Sequence, residues 1–178
     1  MPTKPSTTDT MTFSLWSSGE LLGHAQLSEE TSKPVRAPVL SGRFVPTAGF
    51  ADVWPAFQAW NRCGSELNAR AHTFVTPGVA PEVFREQLLA NVPDAVFRAL
   101  AEAEQAVCAL GLELRDEAGQ AVPGVSVQVK EWNLFSSIID DRQALAEAEA
   151  EAARQGISLC GYLMVASPRS VKRSSPLL

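Results

Sequence analysis

The amino-acid sequence predicts an α+β fold, a mostly antiparallel sheet of about six strands (two hairpins plus single strands) with three to four helices packed against it. Three observations lead there. Apolar runs with two-residue alternation, separated by Gly- and Pro-containing gaps, occupy the N-terminal part of the chain. Three stretches with helical apolar spacing follow. Alternation then returns on either side of an Ala- and Glu-rich helix, giving the order β-β-β-α-α-α-β-β-α-β.

Residues 12–16 and 21–27 flank Ser17, Ser18, Gly19 and Glu20, a Gly-containing gap that suits a β-hairpin. In the second run Leu21, Gly23, Ala25 and Leu27 share one face, and Leu22, His24 and Gln26 share the other. After a polar loop with Pro34 and Pro38, residues 39–45 read as a third strand. Leu40 and Phe44 lie on one face of it, Ser41 and Arg43 on the other, and Pro46 ends it.

Phe50, Val53, Trp54, Phe57 and Trp60 form the strongest apolar stripe of the chain, an amphipathic helix over 50–62 laid on the sheet. Pro55 cannot sit deep in a helix, which either puts the start near Asp52 as the N-cap or introduces a kink, and Gly64 is expected to end the helix. Pro81 opens a short helix over 82–90 that stops before Pro93. Asp94 caps the next helix, whose apolar side carries Val96, Phe97, Leu100, Ala103, Val107 and Cys108, with Gly111 in the left-handed position beyond its end.

Residues 112–115 and 125–130 bracket a long loop, read as a second hairpin in which Val125, Val127 and Val129 face the core and Ser126, Gln128 and Lys130 face water. Asp140 or Asp141 caps a helix that runs to Arg154 and closes at Gly156, and residues 157–165, apolar on both faces, read as a strand deep in the sheet. Residues 42–50 and 112–129 resemble small bacterial proteins of unknown function, over few residues and without a distinctive motif, and no activity is carried over from them.

A chain of 178 residues, 46% hydrophobic and 20% charged, has the length and composition of one globular domain. The expected organisation is a disordered N-terminal tail over 1–10, a single domain over 11–166 and a disordered C-terminal tail over 167–178, both tails being rich in Ser, Thr and Pro. A net charge of −5 works against nucleic acid and anionic membranes as partners. The absence of an apolar leader or membrane span in the sequence, with three unpaired cysteines, points to a cytoplasmic protein.

Nucleotide-binding glycine motifs, H-E-x-x-H, EF-hand loops and G-x-S-x-G are all missing, which lowers the expectation of an enzyme and implies no cofactor, catalytic residue or metal site. The two histidines, His24 and His72, read as ordinary surface or hydrogen-bonded residues, and Cys63, Cys108 and Cys160 as inert packing residues. Asp140 and Asp141 suit helix capping, and Glu147, Glu149 and Glu151 a solvated helix face. Arg169, Lys172 and Arg173, on the tail, carry no specific expectation.

Trp132 fits a plain reading least well. Alternation through Ser126, Gln128 and Lys130 puts this large ring on the wet face, where it is a candidate anchor unless the strand bulges or ends before it or residues 133–135 cover it. The expected binding residues are therefore Trp132, Lys130, Arg43 and His24. The expected function is a non-catalytic interaction protein, an accessory, regulatory or neutralising partner of another protein or of itself as a homodimer. The alternative is a small-molecule binder or small enzyme with an aromatic pocket between the sheet and the 50–62 helix, and His24 or Arg43 as its polar group.

Overall fold

The computed structural model describes residues 10–29, 39–74, 78–133, 142–155 and 160–168. They form β1 (Met11–Ser17), β2 (Glu20–Glu29), β3 (Leu40–Pro46), α1 (Phe50–Ala71), α2 (Pro81–Asn91), α3 (Asp94–Ala109), β4 (Leu112–Arg115), β5 (Val125–Asn133), α4 (Arg142–Arg154) and β6 (Cys160–Pro168). This is the α+β arrangement that the sequence predicts: six strands, antiparallel at every pairing, make one curled sheet in the order β4-β1-β2-β3-β6-β5.

The hairpin between β1 and β2 is tighter than the sequence suggested. Ser17 pairs with Glu20, and only Ser18 (φ 49°) and Gly19 (φ 86°) make the turn. Positive φ at both central residues matches the twist of the flanking strands. One register step away, Leu22 is the extra residue between the Leu15–Gly23 and Trp16–Leu21 pairs. This bulge carries Leu22 into the core, 1% exposed, instead of onto the face of His24 and Gln26.

The second expected hairpin does not form, for β4 pairs with β1 and β5 with β6. The chain does fold back after β4, through an Arg115–Ala121 bridge and a Val122 N–H to Leu114 C=O bond of 2.8 Å. Pro123 then follows, without an N–H to continue a ladder, and the strand leaves for the far edge. At the C-terminus β6 starts at Cys160 and runs to Pro168, two residues into the stretch expected to be tail, with Ser126 opposite Ser167 and Val125 opposite Pro168.

Helix α1 is longer than its apolar stripe implied. It begins at Phe50 with Gly49, not Asp52, at the N-cap, and continues through Gly64 to Ala71. Pro55 lies inside, near enough to the N-terminus that only the carbonyl of Ala51 loses an in-helix partner. No side chain caps this end, but Gly49 leaves room for the carboxylate of Glu20, an anion placed where the helix dipole favours one. Helix α3 likewise starts at Asp94 after Pro93, with no side-chain cap, and Gly111 (φ 60°) closes it in the expected left-handed conformation.

The core lies between one face of the sheet and the stripes of α1 and α3. Phe13, Leu15, Ala25, Leu27, Phe44, Leu114, Val127, Val129, Met164 and Ala166 come from the sheet, Phe50 and Phe57 from α1, and Val107 from α3. Phe50 packs its ring 5.0 Å from Phe44 and 5.3 Å from Tyr162, both edge-on, a geometry the ring quadrupoles favour. Among the described residues no polar side chain is buried. Cys108, expected in the packing, is exposed, because the buried line of α3 runs through Val96, Ala103 and Val107 and the next residue is rotated about 100° from it. Both ends (1–9 and 169–178), Asp140, Asp141, Gly156 and the loop holding Pro34 and Pro38 lie outside the described residues.

Candidate functional site

Strand register fixes which side chains share the outer face of the sheet, opposite the core. Thr12, Gln26, Arg43, Leu163 and Lys130 form one row across five strands, each opposite the next. The adjoining row holds Arg115, Ser14, His24 and Val45. Trp132, two residues beyond Lys130 on the same face, stands opposite Gly161.

All four residues singled out from the sequence therefore lie on this face. Arg43 and Lys130 flank Leu163 two strands apart, roughly 10 Å between backbones. His24, Arg43 and Lys130 are exposed, Val45 is 52% exposed, and Leu163 and Trp132 are half-buried. Among the described residues the side chains of His24, Arg43 and Lys130 have no ion-pair or hydrogen-bond partner. A shallow hollow of about 320 Å³ is bounded by His24, Gln26, Arg43 and Val45. Strand β5 continues to Asn133, so it does not end before Trp132; residues 134 and 135, named as a cover for that ring, lie outside the described residues.

Sequence reasoning missed the far end of the same face. There the Arg115 guanidinium sits 4.7 Å over the Trp16 ring, and the indole N–H donates to Ser14 Oγ at 2.9 Å. Arg115 also binds Glu113 at 2.6 Å, so this cation, unlike Arg43 and Lys130, is already committed. The signal was the alternation that put Trp16 opposite Phe13 and Leu15 in direction, but Arg115 joins it only because β4 pairs with β1.

A second depression, about 440 Å³ in volume, lies between β5 and the side of α1 that runs from Trp54 to Asn68. Asn61 bridges its floor, donating from Nδ2 to the Val129 carbonyl at 2.7 Å and accepting from Gln128 Nε2 at 2.9 Å. Among the described residues no strand pairs with β5 on that side, so Asn61 covers part of the sheet edge. The cleft lies partly between the sheet and the 50–62 helix, where the alternative reading expected an aromatic pocket, but Trp54 alone of its lining residues is aromatic and neither His24 nor Arg43 lines it. Phe50 and Phe57 are spent in the core, and His24 and Arg43 stand on the other face of the sheet.

The remaining candidates stay apart. His72 is exposed at the end of α1, Cys63 is half-buried, and Glu147, Glu149 and Glu151 are exposed on α4. Among the described residues no three of His, Cys, Asp and Glu converge to hold a metal ion, and no helix is long and apolar enough to cross a membrane. Comparison of the chain with protein-family models, with curated proteins and with solved structures found no match.

Proposed function

We propose that this chain is a non-catalytic interaction protein that holds an acidic partner protein against the outer face of its sheet. The observation that carries the reading is the Arg43–Leu163–Lys130 row, two cations without a partner among the described residues around an apolar residue, with His24, Val45 and Trp132 alongside. On a chain of net charge −5 this local excess of positive charge stands out, and complementary charge steers encounter and sets partner choice. The apolar residues supply the desolvated centre, with Trp132 as its anchor.

Reversing both cations, Arg43→Glu with Lys130→Glu, tests the charge argument. Association is expected to fall well over tenfold and to lose its salt dependence, with thermal stability unchanged because both side chains are exposed. Unchanged association would rule the face out. Sedimentation of the purified chain separates a second copy from a different partner. Trp132→Ala is expected to weaken association by about 2 kcal/mol and to lower stability by only about 1 kcal/mol. A stability loss of about 3 kcal/mol with association intact would make the ring a packing residue.

A further inference from the structure

We infer that the cleft between α1 and β5 is a second site, which binds a small neutral polyhydroxylated ligand of one or two sugar rings. The first support is Gly64. Glycine inside a helix costs about 1 kcal/mol relative to Ala, and close packing normally explains its presence. Here a Cβ at residue 64 would meet nothing within 4 Å, so packing does not require the glycine. Its effect is to keep the wall of the cleft low in the middle of a 22-residue helix.

The lining sets the ligand class. Gln58, Ser65, Asn68 and Gln128 each carry both donors and acceptors, which matches hydroxyl groups that are also both. Asn61 and Gln128 are held in place by their mutual bond and by the Val129 carbonyl, so two of these amides are already oriented. Lys130 and Glu131 contribute opposite charges, which opposes a strongly charged ligand of either sign. At one end half-buried Trp54, in T-shaped contact with Tyr162 at 5.0 Å, contributes an apolar surface for the C–H face of a ring. An extended peptide fits less well, because Asn61 already occupies the Val129 carbonyl that an added strand would need. The volume of about 440 Å³ lies within the range of small-molecule sites.

Titration of the full-length ¹⁵N-labelled protein with glucose, N-acetylglucosamine, maltose, cellobiose and trehalose tests this, read on the side-chain amides. At least one sugar is expected to shift Asn61 and Gln128 saturably. Gly64→Leu should abolish those shifts while leaving the melting temperature unchanged or higher, and Gln128→Ala should weaken binding roughly tenfold through one lost hydrogen bond. No saturable shift with any of the five, binding unaffected by Gly64→Leu and Gln128→Ala, or saturation by a neutral tripeptide instead, would each overturn the inference. Lys130 borders both sites, so the single variant Arg43→Glu, outside the cleft and expected to leave sugar binding intact, is the one that distinguishes failure at this site from failure at the outer face.

Discussion

Two glycines in the sheet decide how closely its strands and rings approach. A Cβ at Gly42 would overlap the backbone carbonyl of Gln26, and one at Gly23 would overlap the Phe44 ring and the carbonyl of Val45. A carbonyl within a ladder cannot step aside without breaking the register of β2 and β3. Gly42→Ala is therefore expected to lower stability by about 3 kcal/mol, at the upper end for overpacking, as measured by urea unfolding. A loss under about 0.5 kcal/mol, the scale of a surface substitution, would show that the strands yield. Cys108 makes the opposite case. Exposed on α3, it should react rapidly with a thiol reagent in the native protein, ahead of half-buried Cys63, and Cys108→Ser should shift stability by less than about 0.5 kcal/mol. At this scale alternation was a good guide wherever the ladder is regular, as for Arg43, His24 and Lys130. It failed at Leu22, where a bulge inserts a residue, and at Cys108, where the buried stripe is narrower than an apolar count suggests.

Among the elements, α1 does most to shape the core and the candidate cleft beside it. Phe50 and Phe57 fill the core, and the side from Trp54 through Gln58 and Asn61 to Asn68 walls the cleft beside β5. The apolar stripe ended at Trp60, so the sequence reading stopped the helix at Gly64. Seven more residues continue it to Ala71, where Glu66 and Arg70 pair across one turn at 2.9 Å. If Gly64 is an ordinary helical position with open space beside it, Gly64→Ala should raise stability by about 0.5–1 kcal/mol, as read by thermal or urea unfolding. A decrease would mean that a side chain there meets an obstacle. Partners of the short strand β4 were not legible either. Leu112–Arg115 has four residues, its neighbour in sequence turns away at Pro123, and the choice of β1 rests on tertiary packing such as the Ser17 hydroxyl donating to the Leu110 carbonyl at 2.6 Å.

At the scale of the molecule, an acidic chain presents a face where, among the described residues, the charges without a partner are positive, and this contrast is the basis of the proposed function. The α+β class, the number of strands and the shared face of Trp132, Lys130, Arg43 and His24 were legible because each depends on local period and parity. Strand order, the join between β4 and β1 and the cleft at the β5 edge were not, because they depend on which distant segments pack together. Helix α2 also exposes apolar side chains around its circumference, Val83, Phe84 and Leu89, the last at 60%, and these are a competing contact for a partner held by apolar contact alone. The direct comparison is a photo-crosslinking amino acid placed at Val45 or at Leu89 in the otherwise unchanged chain, exposed to the native cell contents. The account predicts a discrete protein crosslink from position 45, weakened by Arg43→Glu, and none from position 89. A crosslink from 89 alone, or one from 45 that Arg43→Glu leaves unchanged, would contradict it.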